Sequence, residues 1–383
     1  MKIAISGGGI AGLATAIYLQ ASEHEVTIFE KSDGFTSEGY GLSIKSFGIE
    51  ILRSFGVLDE LKSKGITFSE FNIYKANGKL VRSIPEKIIG EMTGGAFPVG
   101  RADLHEALYK LISQDTPIFF NKWITNVEHL SRTERIIFND GDCQEFDLVI
   151  IAEGLRSGTR KLLCENEGWY PTDIKYATTR INRKHPFKPG VVYTYKEVGK
   201  TISFFPVDES HVIMQGYFRN SEHSHLQQKE IQALLKKAYC GFTKEVTETL
   251  TSLRHDDFVF YDSVAMIKLA RLVWNRVVLI GDAAYSTTFL SGMGASLSLL
   301  GAKLLTEGLA TIPDIKLSLE RFEEQMLPIA KQFQQNASDH MKHELKAKRF
   351  QLAIANLITR FIPFSIMIKK VSQKFELKNL VGV

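Results

Sequence analysis

The sequence predicts an α/β fold: a Rossmann-like nucleotide-binding domain, a β-sheet domain inserted into it, and a helical C-terminal tail. Three observations carry that expectation. The first is a strand, a glycine turn, a helix and a second strand within residues 2–30. The second is a pair of short apolar runs far downstream, "LVIIA" at 148–152 and "RVVLI" at 276–280, which suit buried strands of a parallel sheet. The third is the segment between them, where apolar and polar residues alternate as in a sheet covered on one face.

Along the chain, "KIAIS" is a buried strand, "GGGIAGLATAIYLQ" a turn running into a helix of small and apolar residues, and "EVTIFE" a strand ending in an acid. Residues 47–64 and 101–113 carry apolar positions at helical spacing. "FSEFNIYKANGKLVRSI" alternates about Asn77-Gly78, and "RIIFNDGDCQEFDLVIIAEG" turns about Asp140-Gly141. Both dipeptides favour hairpin turns. From 173 to 218 the pattern is β, with three closely spaced strands in "VVYTYKEVGKTISFFPVDESHVIMQGYF". Residues 226–254 have helical spacing, and helical sequence follows "RVVLI" to about 335. The expected division is a discontinuous nucleotide-binding domain of residues 1–65, 95–172 and 262–335, an inserted sheet domain of 66–94 and 173–261, and a tail of 336–383.

With 383 residues, 44% hydrophobic and 23% charged, the composition is that of a globular protein. A net charge of +4 from 47 basic and 43 acidic residues points to no nucleic-acid partner. The charge is uneven, because residues 341–383 hold nine Lys or Arg against two acids. This tail continues as a helix, with Ile354, Leu357, Ile358, Phe361 and Ile362 at helical spacing and Pro363 as a break. Three readings stay open for it: a helix over the substrate entrance, an interfacial helix on an anionic membrane, or a contact in a homodimer rather than a monomer. Cys143, Cys164 and Cys240 form no disulfide framework, and no histidine stands in a ligand-spaced motif. A cytoplasmic protein without a metal is therefore expected. Three consecutive glycines at 7–9 argue against a signal peptide, and no long clean apolar run suggests a spanning helix.

Gly7-x-Gly9-x-x-Gly12 lies between the first strand and helix, and Glu30 closes the next strand. Gly7 permits a tight turn, Gly9 lets a pyrophosphate approach the backbone, and Gly12 permits close packing of helix on strand. Ile10 and Ala11 open the helix, whose unpaired N–H groups attract phosphates. Glu30, with Lys31 beside it, stands where a ribose hydroxyl would be recognised. The motif fits NAD and FAD equally.

Two later motifs decide between them: "DLVIIAEGLRSGTR" at 147–160 and "VVLIGDAAYSTTFLSGMGASLS" at 277–298. With "GRADL" at 100–104, they give the chain, from residue 1 to about 310, a resemblance to the single-component FAD-dependent aromatic hydroxylases. These are the p-hydroxybenzoate hydroxylase-like flavin monooxygenases, which include polyketide hydroxylases and tetracycline-inactivating monooxygenases. The resemblance implies bound FAD, NAD(P)H as a transient co-substrate, and O2. The activity it implies is hydroxylation, through a flavin C4a-hydroperoxide, of an aromatic, polyketide-like or polycyclic substrate such as a tetracycline-like compound.

It also assigns residues. Arg101 would contact FAD and Val127 would offer backbone groups to the adenine. Glu153 and Gly154 would serve the pyrophosphate and the nicotinamide donor. Asp282, after Gly281, would bind the ribityl chain. The amides around Gly292, Met293, Gly294 and Ala295 would face the flavin N1–C2=O edge. Gly41 and Leu42, in "GYGLSI" at 39–44, would lie beside the isoalloxazine. Substrate would sit between flavin and inserted sheet, with Tyr193, Tyr195, Phe204, Met214, Gln215, Tyr217 and Phe289 as candidate contacts. No catalytic base is assigned. Plainer roles stay open: Asp282 as a helix cap, Arg101 as a surface charge, Arg160 as a structural ion pair, and Gly292 and Gly294 as packing glycines.

Five positions depart from the family pattern. Glu153 replaces the usual Asp, Tyr285 a His, Phe289 a Pro, and Leu300-Gly301 an acidic pair. Phe289 and the basic tail leave room for a non-hydroxylating flavin oxidoreductase acting on a lipophilic compound, and a flavin-binding module with little turnover stays open as well.

Overall fold

The computed structural model describes residues 1–35, 41–45, 47–65, 67–164, 168–221, 226–288, 291–345 and 348–373. In chain order it begins β1 (Lys2–Ser6), α1 (Ile10–Leu19), β2 (Glu25–Phe29), β3 (Gly41–Ile44), α2 (Phe47–Ser54), α3 (Leu58–Lys64), β4 (Glu70–Lys75), β5 (Leu80–Pro85), α4 (Glu86–Thr93), β6 (Phe97–Gly100), α5 (Arg101–Tyr109) and β7 (Ile118–Phe119). It continues β8 (Ile124–His129), β9 (Glu134–Phe138), β10 (Cys143–Phe146), β11 (Leu148–Ile151), α6 (Gly158–Leu163), β12 (Trp169–Asn182), β13 (Val191–Glu197), β14 (Lys200–Pro206), β15 (His211–Arg219), α7 (Gln228–Ala238) and α8 (Lys244–Thr251). It closes with β16 (Phe260–Ile267), β17 (Val273–Trp274), β18 (Val277–Leu279), α9 (Asp282–Tyr285), α10 (Gly294–Thr311), α11 (Ile315–Glu344), α12 (Arg349–Phe361) and α13 (Phe364–Ser372).

The three apolar runs seen in the sequence lie side by side. β1 pairs in parallel with β2 and β11, and β11 with β18, within a six-stranded sheet of order β17-β18-β11-β1-β2-β7. Ile3, Ile5, Val149, Ile150, Val278 and Leu279 are fully buried, as parallel strands covered on both faces require. α1 packs on this sheet, and α10 packs on α1. Their approach is close because the buried face of α1 is Ala11, Gly12, Ala14 and Ala16.

The second sheet has order β16-β12-β15-β14-β13-β4-β5 and is antiparallel except where β13 runs parallel to β4. One face packs on α7 and α8, burying Phe204, Val212, Met214, Leu235, Tyr239 and Val246 in a separate core. The other face looks toward the first sheet. The hairpin β4–β5 turns at Gly78 and β9–β10 at Gly141, both at positive φ, as their dipeptides predict. β8, β9 and β10 form a small antiparallel sheet, and β3 pairs with β6 in a ribbon of two.

Several boundaries differ from the sequence pattern. The helix expected over 47–64 is two, because Gly56 turns left-handed (φ +75°) between α2 and α3. Gly241 (φ +84°) likewise separates α7 from α8. α5 ends at Tyr109, short of 113. The domain limits drawn at 172 and 261 fall inside β12 and β16, two strands of the second sheet, and the limit at 335 falls inside α11. Beyond α11 the described part of the tail is two helices, α12 and α13, with Pro363 at the N-cap position of α13.

Candidate functional site

A cavity of about 1100 Å³ lies between the carboxyl ends of the first sheet and the inner face of the second. It is slightly larger than the usual range for one small-molecule site, about 300–1,000 Å³. Gly9 follows β1, Gly154 follows β11 and Asp282 follows β18, so the three motifs meet at the strand ends where open α/β sheets bind ligands.

The glycine turn divides its labour. Gly7 has φ +108°, and a Cβ there would run into the Ala152 carbonyl; a Cβ on Gly12 would strike the Gly7 carbonyl. Nothing lies within 4 Å of a Cβ built on Gly9, so that position faces open space. Gly9, Ile10 and Ala11 line the cavity, and α1 begins without a side-chain cap, leaving its first N–H groups to a ligand. Gly7, Gly12 and Glu30 shape the turn from behind. The Glu30 carboxylate accepts from the Gly8 N–H (2.7 Å) and from the Ser32 N–H and hydroxyl (2.9 and 2.6 Å). Lys31 is exposed, its Nζ 5.4 Å above the Trp123 ring, and Val127 is half-buried in β8; neither belongs to the cavity wall. His105 stands in no sequence motif, yet its Nε2 lies 2.7 Å from the Gly8 carbonyl oxygen. Burial lowers its pKa, so a neutral ring donating from Nε2 fastens α5 to the turn.

Glu153 corrects an expectation. Its carboxylate faces inward and accepts from Ser6 Oγ (2.6 Å), Ser157 Oγ (2.7 Å), Thr159 N (3.0 Å) and Thr159 Oγ1 (2.6 Å). It joins the end of β1 to the start of α6, while Gly154 alone of the pair lines the cavity. The longer Glu side chain suits this node because it must reach two elements at once. Arg160 is also buried, and donates to the carbonyls of Ala283 (3.0 Å) and Leu155 (2.8 Å). It ties the middle motif to the late one.

The opposite wall is the late motif. Gly281 (φ +62°) ends β18, and a Cβ there would lie 2.8 Å from Ala11 Cβ, so the turn seats directly on α1. Asp282 lines the cavity; burial pushes its carboxyl up, while the Arg101 charge and a Ser286 hydrogen bond pull it down. Arg101 lines the same wall. Gly292 (φ +60°), Gly294 and Ala295 line the cavity at the start of α10, which has no side-chain cap. Met293 is different: it is buried, and its N–H donates to Ser291 Oγ (3.0 Å), so this expected bare amide is engaged within the loop. Thr288, a β-branched residue at φ +74°, lines the cavity just before the turn. Phe289 lies outside the described residues.

Lys45 was missed. It is 8% exposed, lines the cavity and donates from Nζ to the Ser291 carbonyl (3.2 Å). A Cβ on Gly292 would lie 2.7 Å from that Nζ, so the amine sits directly beside the loop, where φ +60° itself favours glycine. Burial brings its pKa down to about 8. A lysine between "GLSI" and a helix gave no hint of burial, because only the tertiary approach of α10 covers it.

The substrate candidates divide by strand face. Gln215 lines the cavity, and Gly41, where a Cβ would be 4.0 Å from its Nε2, lies against it; Leu42 lines the same wall. Tyr193 and Phe204 do not. Phe204 is fully buried and Tyr193 packs with it in the core against α7 and α8, as do Tyr195 and Met214. Tyr217 packs against a third cluster around Ile174 and Met341. The face toward the cavity carries Phe205, Ile213, Tyr176 and Phe260, joined by Phe68 and Phe71. Phe68 stands 5.8 Å from both Phe71 and Phe205, and Tyr176 6.3 Å from Phe260. Alternation told which residues share a face but not which face meets the cavity.

These residues suit FAD. Gly9 leaves open space, the uncapped start of α1 suits a pyrophosphate, the enclosed Asp282 suits a polyol, and the uncapped start of α10 suits an electron-rich ring edge. Fold and site together define a flavin-dependent oxidoreductase with a substrate space beside its cofactor.

The family described as FAD binding domain matches residues 1–337, and the chain belongs to it. It is similar to the FAD-dependent monooxygenase asL6 of Sarocladium schorii, with 27% identity over 366 residues that cover 86% of this chain and 84% of the relative. Its fold is similar to that of HpxO from Klebsiella pneumoniae complexed with FAD and uric acid, at TM-score 0.86, 21% identity and coverage of 98% and 96%. It is also similar to the tetracycline destructase Tet(55), at TM-score 0.81, 22% identity and 98% of each chain. The protein is an FAD-dependent monooxygenase that takes NAD(P)H as transient co-substrate and acts on a small molecule with O2.

Proposed function

We propose that the protein hydroxylates a flat, largely apolar aromatic or polycyclic compound held against the inner face of the second sheet. The carrying observation is that Phe68, Phe71, Phe205, Tyr176 and Phe260 line the same cavity as Asp282, Gly294 and Gly41. Aromatic walls favour planar ligands through stacking and edge contacts. Gln215 is a polar group of that wall placed to orient a ring substituent beside β3. Asp262, ion-paired with Arg156, adds a fixed charge at the rim. The uric acid of the HpxO complex and the tetracyclines of the destructase are fused-ring compounds, which supports a ring substrate here.

FAD, when bound, supplies hydride acceptance and oxygen activation. The chain's own part is to hold and shield. The starts of α1 and α10 offer N–H groups, Asp282 offers an acceptor for hydroxyls, and the aromatic face excludes water from the reacting centre. A cytoplasmic location belongs to the same proposal, supported by three scattered cysteines.

The test is a panel of phenols, anthraquinones and tetracyclines given to the FAD-loaded protein, with NAD(P)H loss, O2 uptake and product mass followed together. The expected result is substrate-stimulated NAD(P)H loss with a product heavier by one oxygen. Stimulated loss that never yields an oxygenated product would support the non-hydroxylating oxidoreductase instead.

A further inference from the structure

α12 turns its more apolar side outward. Phe350, Ile354, Leu357, Ile358 and Phe361 are between 53% and 68% exposed. At 3.6 residues per turn they fall within one arc of about 100°. The opposite side, including Leu352, Ala355 and Thr359, is half-buried, and α12 rests on β5. The helix is held in that orientation from within. Arg82 of β5 donates to the carbonyls of Thr359 (2.8 Å) and Ile362 (2.5 Å), and its guanidinium lies 4.0 Å above the Phe364 ring. α13 then turns away by 113° and packs on α4, whose Glu86, Lys87, Ile89, Gly90 and Thr93 line the cavity. Among the described residues no single helix is long and apolar enough to cross a membrane.

The charge beside this face is one-sided. Residues 348–373 contain Lys348, Arg349, Arg360, Lys369 and Lys370 and no acid, and all five cations are exposed. Arg360 lies 5.5 Å above the Phe361 ring, an apolar residue and a cation sharing one edge of the arc. A soluble helix normally buries its apolar arc. An arc left open, in a segment whose charges are all cations, matches a surface that is apolar below and anionic above. A second copy of the chain would bring five cations against five, and the same charges that favour anionic lipid oppose that pairing.

We propose that α12 and α13 form a docking surface for an anionic lipid membrane, with the outer arc of α12 immersed in the headgroup boundary and the five cations on lipid phosphates. The enzyme so held stands with one wall of its cavity, α4, a single helix away from the lipid-facing element. The interaction is peripheral, salt-sensitive and reversible.

Co-sedimentation of the full-length, FAD-loaded protein with phosphatidylcholine vesicles, with and without phosphatidylglycerol, tests this. Binding is expected to vesicles containing phosphatidylglycerol and to weaken as salt rises. The variant Arg360→Gln/Lys369→Gln/Lys370→Gln should lose on the order of a hundredfold in partition. The variant Ile354→Glu/Leu357→Glu/Phe361→Glu should stay in the supernatant while keeping its FAD absorbance, which shows that it is folded. Failure of the wild type to pellet with either vesicle overturns the proposal. So does concentration-dependent dimerisation that the Glu variant abolishes, since the arc would then be a contact between copies.

Discussion

At the scale of single residues, two departures from the family pattern are one packing solution. Tyr285 is buried, and its phenol oxygen occupies the space that a Cβ on Gly301 would need. A larger residue after Gly-Asp-Ala-Ala thus requires a smaller one in α10. Gly301→Ala is expected to destabilise by about 1–3 kcal/mol through overpacking, and Tyr285→Phe in that background to recover most of it. Thermal melts of the two variants check this; equal loss in both contradicts the contact. Lys45 makes a second prediction. Burial lowers its pKa from 10.5 to about 8, so folding favours the neutral amine. Below pH 8 the group is charged in both states and costs roughly 3 kcal/mol, and the cost fades as pH rises from 8 toward 10.5, where the unfolded chain also releases its proton. Lys45→Met, measured after FAD removal, should therefore gain up to that amount at neutral pH and progressively less above pH 8. In the FAD-loaded protein the same change should weaken sulfite addition to the flavin about tenfold, because a cation beside the loop at Gly292 is lost. The glycine spacing and Asp282 were legible in the sequence; Lys45 and the Tyr285–Gly301 contact were not, since both arise where distant segments touch.

At the scale of elements, strands were easy to find and their facing was not. "SFFPV" offers Phe204 and Phe205 to opposite faces, and only the packing of α7 and α8 on one side decides which meets the cavity. Phe204→Ala is expected to cost about 3–5 kcal/mol in stability with little change in KM. Phe205→Ala should raise KM severalfold with a much smaller loss of stability. Denaturant unfolding and steady-state kinetics on the pair separate the roles, and a reversed pattern would mean the sheet faces the other way. Glu153 shows the same limit for a motif: its position after β11 was legible, but its inward direction depended on Ser6, from the start of the chain. Glu153→Ala should cost about 2–4 kcal/mol without a selective rise in the KM for NAD(P)H, because the carboxylate braces β1 on α6. Helix breaks at Gly56 and Gly241 were hidden for a related reason, since apolar spacing carries on through a glycine whose φ is unknown.

At the scale of the whole molecule, three motifs separated by much of the chain converge because β1, β11 and β18 are neighbours in one sheet. The second sheet closes the space in front of them, and the cavity exists only where the two meet. That convergence was legible as motif order; the composition of the closing wall was not, because it depends on which face of seven strands turns inward. The central claim is that cofactor and substrate share this cavity, with the substrate between the flavin and the aromatic face. Titrating the FAD-loaded protein with a turned-over compound while recording the visible flavin band tests it most directly. The account predicts a saturable perturbation of that band in wild type and Phe204→Ala, shifted to severalfold higher ligand concentration in Phe205→Ala, where about 1 kcal/mol of stacking contact is removed. A band unmoved by a compound that is turned over, or a Phe205→Ala titration identical to wild type, would contradict it.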